Sequence, residues 1–223
     1  MRLREHGLSI AFAALFLAAL IGQSVAGLFQ FNQDQLSHGG STESWLAFVT
    51  SSDFVVDVAE NWQSEYLQFF LLILATIWLV QKGSPESKKP GDEGLGTDEE
   101  QLVGRHARPD SPSWAKAGGW RSALYSNSLL IVMGAIFLLS WLLQSLAGQV
   151  VYNAEQVEHH EAMVSWVQYL VSADFWNRTL QNWQSEFLAV GSMVAFSIYL
   201  RQRGSSESKP VGAPHHTSAV DAE

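Results

Sequence analysis

The chain contains no cysteine, which removes disulfides, thiolate nucleophiles and cysteine metal sites together. Charged residues make up only 16% of it, with acidic residues in excess to leave a net charge of -9, a balance that argues against nucleic acid as a partner. No glycine-rich phosphate loop, nucleophile elbow or HExxH pair occurs. With those enzyme signatures missing, no cofactor is expected and the chain reads as non-enzymatic.

Basic residues are also missing from particular places. Of the 13 Lys and Arg, only Arg178 falls between the first and second or the third and fourth apolar blocks; the others cluster before the first block, in the middle of the chain and after the last block. By the positive-inside rule this predicts cytoplasmic termini and a cytoplasmic central linker, with the two acidic loops outside.

What the chain does have is 47% hydrophobic residues, gathered into four blocks, while polar stretches dilute the mean hydropathy to +0.04. Residues 8–27 and 128–148 are each long enough to cross a bilayer, at about 20 residues and roughly 30 Å of helix. Residues 66–80 and 187–200 are shorter, so their helices are expected to begin upstream, near the predicted starts Asp53-Phe54 and Asp174-Phe175, which follow Ser51 and Ser172. The amphipathic stretches at 44–50 and 165–171, carrying Trp45 and Trp166, are expected to lie along the membrane interface.

Asn61-Trp62-Gln63-Ser64-Glu65 recurs letter for letter as Asn182-Trp183-Gln184-Ser185-Glu186, 121 residues on, and the same offset aligns most of the chain without a gap. The predicted architecture is an all-α membrane protein of four transmembrane helices, arranged as two parallel two-helix repeats. Repeat 1 covers 1–89 (spans 8–28 and 61–81) and repeat 2 covers 119–210 (spans 128–149 and 182–202). A polar linker at 90–118 and a tail at 211–223 are expected to be disordered and cytoplasmic. Two crossings per repeat give both copies one orientation, related by an axis along the membrane normal. Arg2, Arg4 and the small residues at 24–26 resemble a cleaved signal, but Gln144-Ser145-Leu146-Ala147-Gly148 copies Gln23-Ser24-Val25-Ala26-Gly27, so the first block is expected to be retained.

The candidate site is the layer where the repeated motif meets the first helix of each repeat: Gln23, Asn61, Gln63, Glu65, Gln144, Asn182, Gln184 and Glu186. Ala19, Gln23 and Gly27, matched by Ser140, Gln144 and Gly148, form a small-residue stripe suited to close helix approach. Trp62 and Trp183, like Trp45 and Trp166, are expected as interfacial anchors. Two readings compete for this layer. Either the amides knot the helices together while the glutamates face headgroup water, or Glu65 and Glu186 line an ion or proton path. Asp57 and Arg178 hold equivalent positions with opposite charge, which predicts a cross-repeat ion pair, with Asp174 as the local competitor for Arg178. Glu158-His159-His160-Glu161, with His38 aligned to His159, reads as solvated surface, and no metal site is expected.

The duplicated NWQSE, the endings Gly83-Ser84-Pro85-Glu86-Ser87-Lys88 and Gly204-Ser205-Ser206-Glu207-Ser208-Lys209, and Gly119-Trp120-Arg121 ahead of Leu124 to Leu129 resemble an uncharacterised family of bacterial membrane proteins, a domain of unknown function. The resemblance implies an integral protein of the bacterial plasma (inner) membrane and no assigned activity. The expected partners are the lipid bilayer and, as an open alternative, further copies of the chain.

Overall fold

The computed structural model describes residues 3–218, which form eight α-helices and no strand. They are α1 (Gly7–Ser37), α2 (Trp45–Val49), α3 (Ser52–Trp78), α4 (Ser113–Ala117), α5 (Gly119–Ser126), α6 (Ser128–Glu158), α7 (Trp166–Leu170) and α8 (Ala173–Tyr199). Both boundaries of α1, α2 and α3 recur in α6, α7 and α8 at the 121-residue offset of the sequence. Helices α1 and α6 are long and apolar enough to cross a membrane. Each is 31 residues long, running about two and a half turns past the end of its expected span through a mixed polar and apolar stretch that stays helical. Between the halves lie hydrogen-bonded turns, a 3-10 turn at Gly104–His106 and the short helices α4 and α5.

The residues group into two compact units, each drawing on both halves of the chain. One unit holds the described residues up to Ala59 together with Leu143–Phe175, and it contains the same loop built twice. At the end of α1, Asn32 accepts the Glu43 N–H through Oδ1 (2.7 Å) and donates Nδ2 to the Glu43 carbonyl (3.1 Å). At the end of α6, Asn153 does the same to Val164 at 2.8 and 3.0 Å. One side-chain amide thus satisfies both polar groups of a single backbone residue.

The chain then turns into a capped short helix, with Ser44 accepting from Ala47 N and Ser165 from Gln168 N. In α7 the Gln168 side chain also accepts the Ser165 N–H, completing a capping box. The first residue of each short helix sends its indole back to the long helix: Trp45 Nε1 donates to Ser24 Oγ at 3.0 Å and Trp166 Nε1 to Ser145 Oγ at 3.1 Å. The aromatic three residues on is buried. Phe48 packs on Phe31 and Phe54, and Tyr169 on Tyr152 and Phe175, with ring centroids 5.5–5.6 Å apart.

Gly27 and Gly148 serve these rings, a role different from the helix–helix approach expected of them. A Cβ at Gly27 would fall 2.9 Å from Phe48 Cζ, and one at Gly148 would fall 2.5 Å from Tyr169 Oη. Ser51 and Ser172 accept from Phe54 N and Phe175 N at the starts of α3 and α8, where their hydroxyls cover otherwise unpaired first-turn donors.

The second unit holds Glu60–Leu142 with the described residues from Trp176 to Ser218. Here the two GSxESK segments fold alike beyond α3 and α8. Gln81 N donates to Ser87 Oγ and Gln202 N to Ser208 Oγ, at 2.7 and 2.9 Å, while Glu86 N and Glu207 N each donate to the serine two residues back. Gly83 at φ +90 and Gly204 at φ +83 make the turns, in a region that glycine enters without a Cβ clash. The lysine that ends the second segment does not reach out to solvent. Lys209 is 2% exposed and its ammonium is surrounded by the carbonyls of Gly83, Pro214, His215 and Thr217, because the following tail folds back over it.

Glu86 meets Glu207 in this region. Burial first, then the hydrogen bond and charge of Glu207, hold the Glu86 carboxyl above its ordinary value. A carboxyl raised in the folded state contributes stability that is complete below the ordinary carboxyl range and is lost as pH rises through its folded value. Replacing Glu86 with Gln should therefore flatten the thermal stability profile above pH 4.5 and raise the neutral-pH midpoint by on the order of 2 °C. A thermal-shift series across pH on parent and variant measures both effects.

Candidate functional site

The two copies of NWQSE present opposite sides. In α3, Gln63 is 0% and Ser64 2% exposed, while Asn61, Trp62 and Glu65 are exposed. In α8, Gln184 and Ser185 are exposed, and Asn182, Trp183 and Glu186 are partly covered. Five identical residues on two equally long helices thus bury complementary subsets. The first-helix amides differ too, Gln23 being exposed and Gln144 fully buried.

The reason lies in how α8 meets α3. The Trp183 indole donates to Gln63 Oε1 at 2.7 Å, which places the tryptophan of one copy on the glutamine of the other. Around that bond the second unit assembles rings. Trp183 lies 5.7 Å from Trp141 and 6.4 Å from Phe137; Trp141 stacks on Phe137 at 5.6 Å and meets Trp176 edge-on at 6.1 Å. The Trp141 indole reaches Thr179 Oγ1, itself fully buried, at 3.5 Å. Along the same helix, Gly134 admits the Phe70 ring 3.0 Å from where a Cβ would stand. The indoles of Trp183 and Trp141 each keep a polar partner while their rings bury apolar area, the arrangement that makes a buried tryptophan favourable.

Trp183 is therefore part of the packed layer, while Trp62 is 40% exposed. Trp45 and Trp166, at 49% and 37% exposed, are tethered through their indole nitrogens. Of the two motif carboxylates, Glu65 is exposed and Glu186 partly covered. Arg178 forms an ion pair with Glu60 at 3.6 Å. Glu60 sits three residues after Asp57, the carboxylate expected to face Arg178, and Asp57 itself is exposed. The Arg178 carbonyl also accepts from Asn182 Nδ2 at 3.0 Å.

Sequence reasoning overlooked Glu60, the Asn32 and Asn153 clamps, and Ser24 and Ser145. The clamps and serines are identical at the 121-residue offset, a signal that could have found them. Glu60 has no such mark, since Gln181 stands opposite it in the alignment.

A groove of about 750 Å³ runs along the second unit, lined chiefly by Leu71, Leu72, Ala75, Val190, Gly191 and Val194, with Gln68, Gln81 and Glu86 as polar members. Neither Glu65 nor Glu186 lines it. In the first unit, His38 Nε2 approaches Glu158 Oε1 at 3.4 Å. Among the described residues no three His, Asp or Glu converge to hold a metal ion.

Gln63 is the most demanding group in this layer. Its Oε1 is paired, but its Nε2 has no acceptor among the described residues. Trp183→Phe would keep most of the ring packing and leave the buried amide with neither end bonded, a loss worth about 1–3 kcal/mol. Trp62→Phe, at the exposed copy of the position, should cost well under half as much. Denaturation midpoints of the two variants in one detergent compare them directly.

A family model for a domain of unknown function, DUF6766, matches residues 1–220. No curated protein and no solved structure matches the chain. Since the family match runs over nearly the whole length, the chain belongs to the DUF6766 family, a domain of unknown function.

Proposed function

We propose that this chain is a multi-pass protein of a bacterial plasma membrane, spanning it with α1, α3, α6 and α8 and keeping both termini on the cytoplasmic side. Its role on this reading is non-enzymatic, as a structural or envelope-associated factor. Helices α3 and α8, at 27 residues each, are about 40 Å long and sufficient to cross. The placement of the basic residues supports the orientation.

The observation that carries the structural role is the packing of the motif layer. Gln63 is wholly buried and bonded to Trp183 within a cluster of rings, whereas Glu65 remains exposed. A layer filled by aromatic side chains ties helices together, and glutamates left outside it do not require a water-filled path through the protein.

A second reading, an ion or proton conduit, is favoured by one observation: Glu186 is partly covered, three residues along α8 from the packed Trp183, and a carboxylate at membrane depth is typical of such paths. Liposome reconstitution separates the two. The structural role predicts no proton or cation flux above that of empty liposomes, for the parent and for the Glu65→Gln, Glu186→Gln double variant alike. Flux that the parent supports and the double variant loses would establish the conduit instead.

The orientation has its own test, which the absence of cysteine simplifies. Single cysteines at Ser41 and Ser165 should react with an impermeant thiol reagent added to intact cells, and one at Ser111 should not. The reverse pattern would invert the topology.

A further inference from the structure

The face that α3 buries is left open on α8. Val56, Ala59, Gln63 and Leu67 are 2%, 4%, 0% and 7% exposed. At the 121-residue offset stand Asn177, Leu180, Gln184 and Leu188, all exposed, with Leu180 at 51% and Leu188 at 69%. Their spacings of three and four residues place them on one stripe of α8, joined by Gln181 and continued by Gly191, around which a Cβ would meet nothing within 4 Å. Among the described residues, the side chains of Asn177, Gln181 and Gln184 make no hydrogen bond.

We propose that this stripe is the contact through which two copies of the chain associate, α8 against α8, about a two-fold axis along the membrane normal. The proposal rests on the four-span reading, under which Gln184 lies at the outer end of the α8 span, where its amide, left without a hydrogen-bond partner toward lipid, is costly. Three properties select a second copy as the occupant. An amide carries both donor and acceptor, so identical glutamines pair reciprocally across a two-fold axis. The stripe holds no charged residue in a chain of net charge -9, so like copies meet there without direct repulsion. The leucines and Gly191 supply the close apolar packing on which helix association in lipid depends.

The test uses the full chain in native membranes, with single cysteines at Gln184, Leu188 and Met193. Met193 is 42% exposed and lies on the opposite side of α8, about 180° from Gln184. With a membrane-permeant oxidant, the Gln184→Cys and Leu188→Cys chains should form a disulfide-linked species at twice the 24.7 kDa chain mass, at least fivefold more than Met193→Cys. In an otherwise unaltered chain, Leu188→Trp should reduce the dimer recovered in mild detergent by a similar factor.

Monomer at both stripe positions, equal dimer at Met193, or an adduct of another mass indicating a foreign partner would each overturn the proposal. Only protein that stays in the membrane through alkaline carbonate extraction is scored. Release by carbonate would overturn the four-span reading and this proposal with it, whereas retained monomer overturns the proposal alone.

Discussion

The hydrogen bond from the Trp183 indole to the Gln63 carbonyl sets much of what surrounds it. A glutamine with no solvent exposure needs a partner for its polar end, and this one takes it from the tryptophan of the other NWQSE copy. The ring supplying the proton must point its edge at the amide, and the aromatic cluster of Phe137, Trp141 and Trp176 gathers around it. The choice also breaks equivalence. When Trp183 covers Gln63, the matching side of α8 is turned outward, and Gln184 stays exposed while its counterpart does not.

Much of the local structure was legible in the sequence because it depends on short-range chemistry. Ser44 and Ser165 precede short amphipathic stretches, and Ser51 and Ser172 precede Asp-Phe pairs; a hydroxyl placed to accept from a first-turn N–H determines a helix start with little help from elsewhere. The ends of the long helices were harder to place. An apolar run measures depth in a hydrocarbon layer and not helix length, so α1 and α6 continue to Ser37 and Glu158 through residues outside the expected spans. The GSxESK endings repeat visibly in the sequence, but burial of Lys209 requires carbonyls up to eight residues further on, which no local pattern announces.

The division of the motif into buried and exposed faces could not be read in advance. Identical letters have identical propensities, and only the packing of α8 on α3 decides which glutamine goes inside. The ion pair illustrates the same limit: opposite signs at Asp57 and Arg178 drew notice to those positions, while nothing in the pattern pointed to Glu60, which Arg178 meets at 3.6 Å. Membership of the DUF6766 family assigns no chemistry, so function here must be argued from the site, where amides and rings fill the space and the carboxylates stay at its margin.

The asparagine clamps carry a consequence for how this protein tolerates change. Asn32 and Asn153 each hold one backbone residue eleven positions away as a neighbouring strand would, closing the loop at its base. The residues between each helix end and the clamped residue, 38–42 and 159–163, are thereby tied off at their base. The two enclosed segments have already drifted apart, one reading Ser37-His38-Gly39-Gly40 and the other Glu158-His159-His160-Glu161, while the closures stay superimposable in kind. Lengthening a closed loop adds only slowly growing entropy. These two tips are thus the ports at which a peptide tag, a fluorophore or a small inserted domain can be grafted without the rest of the fold registering the load.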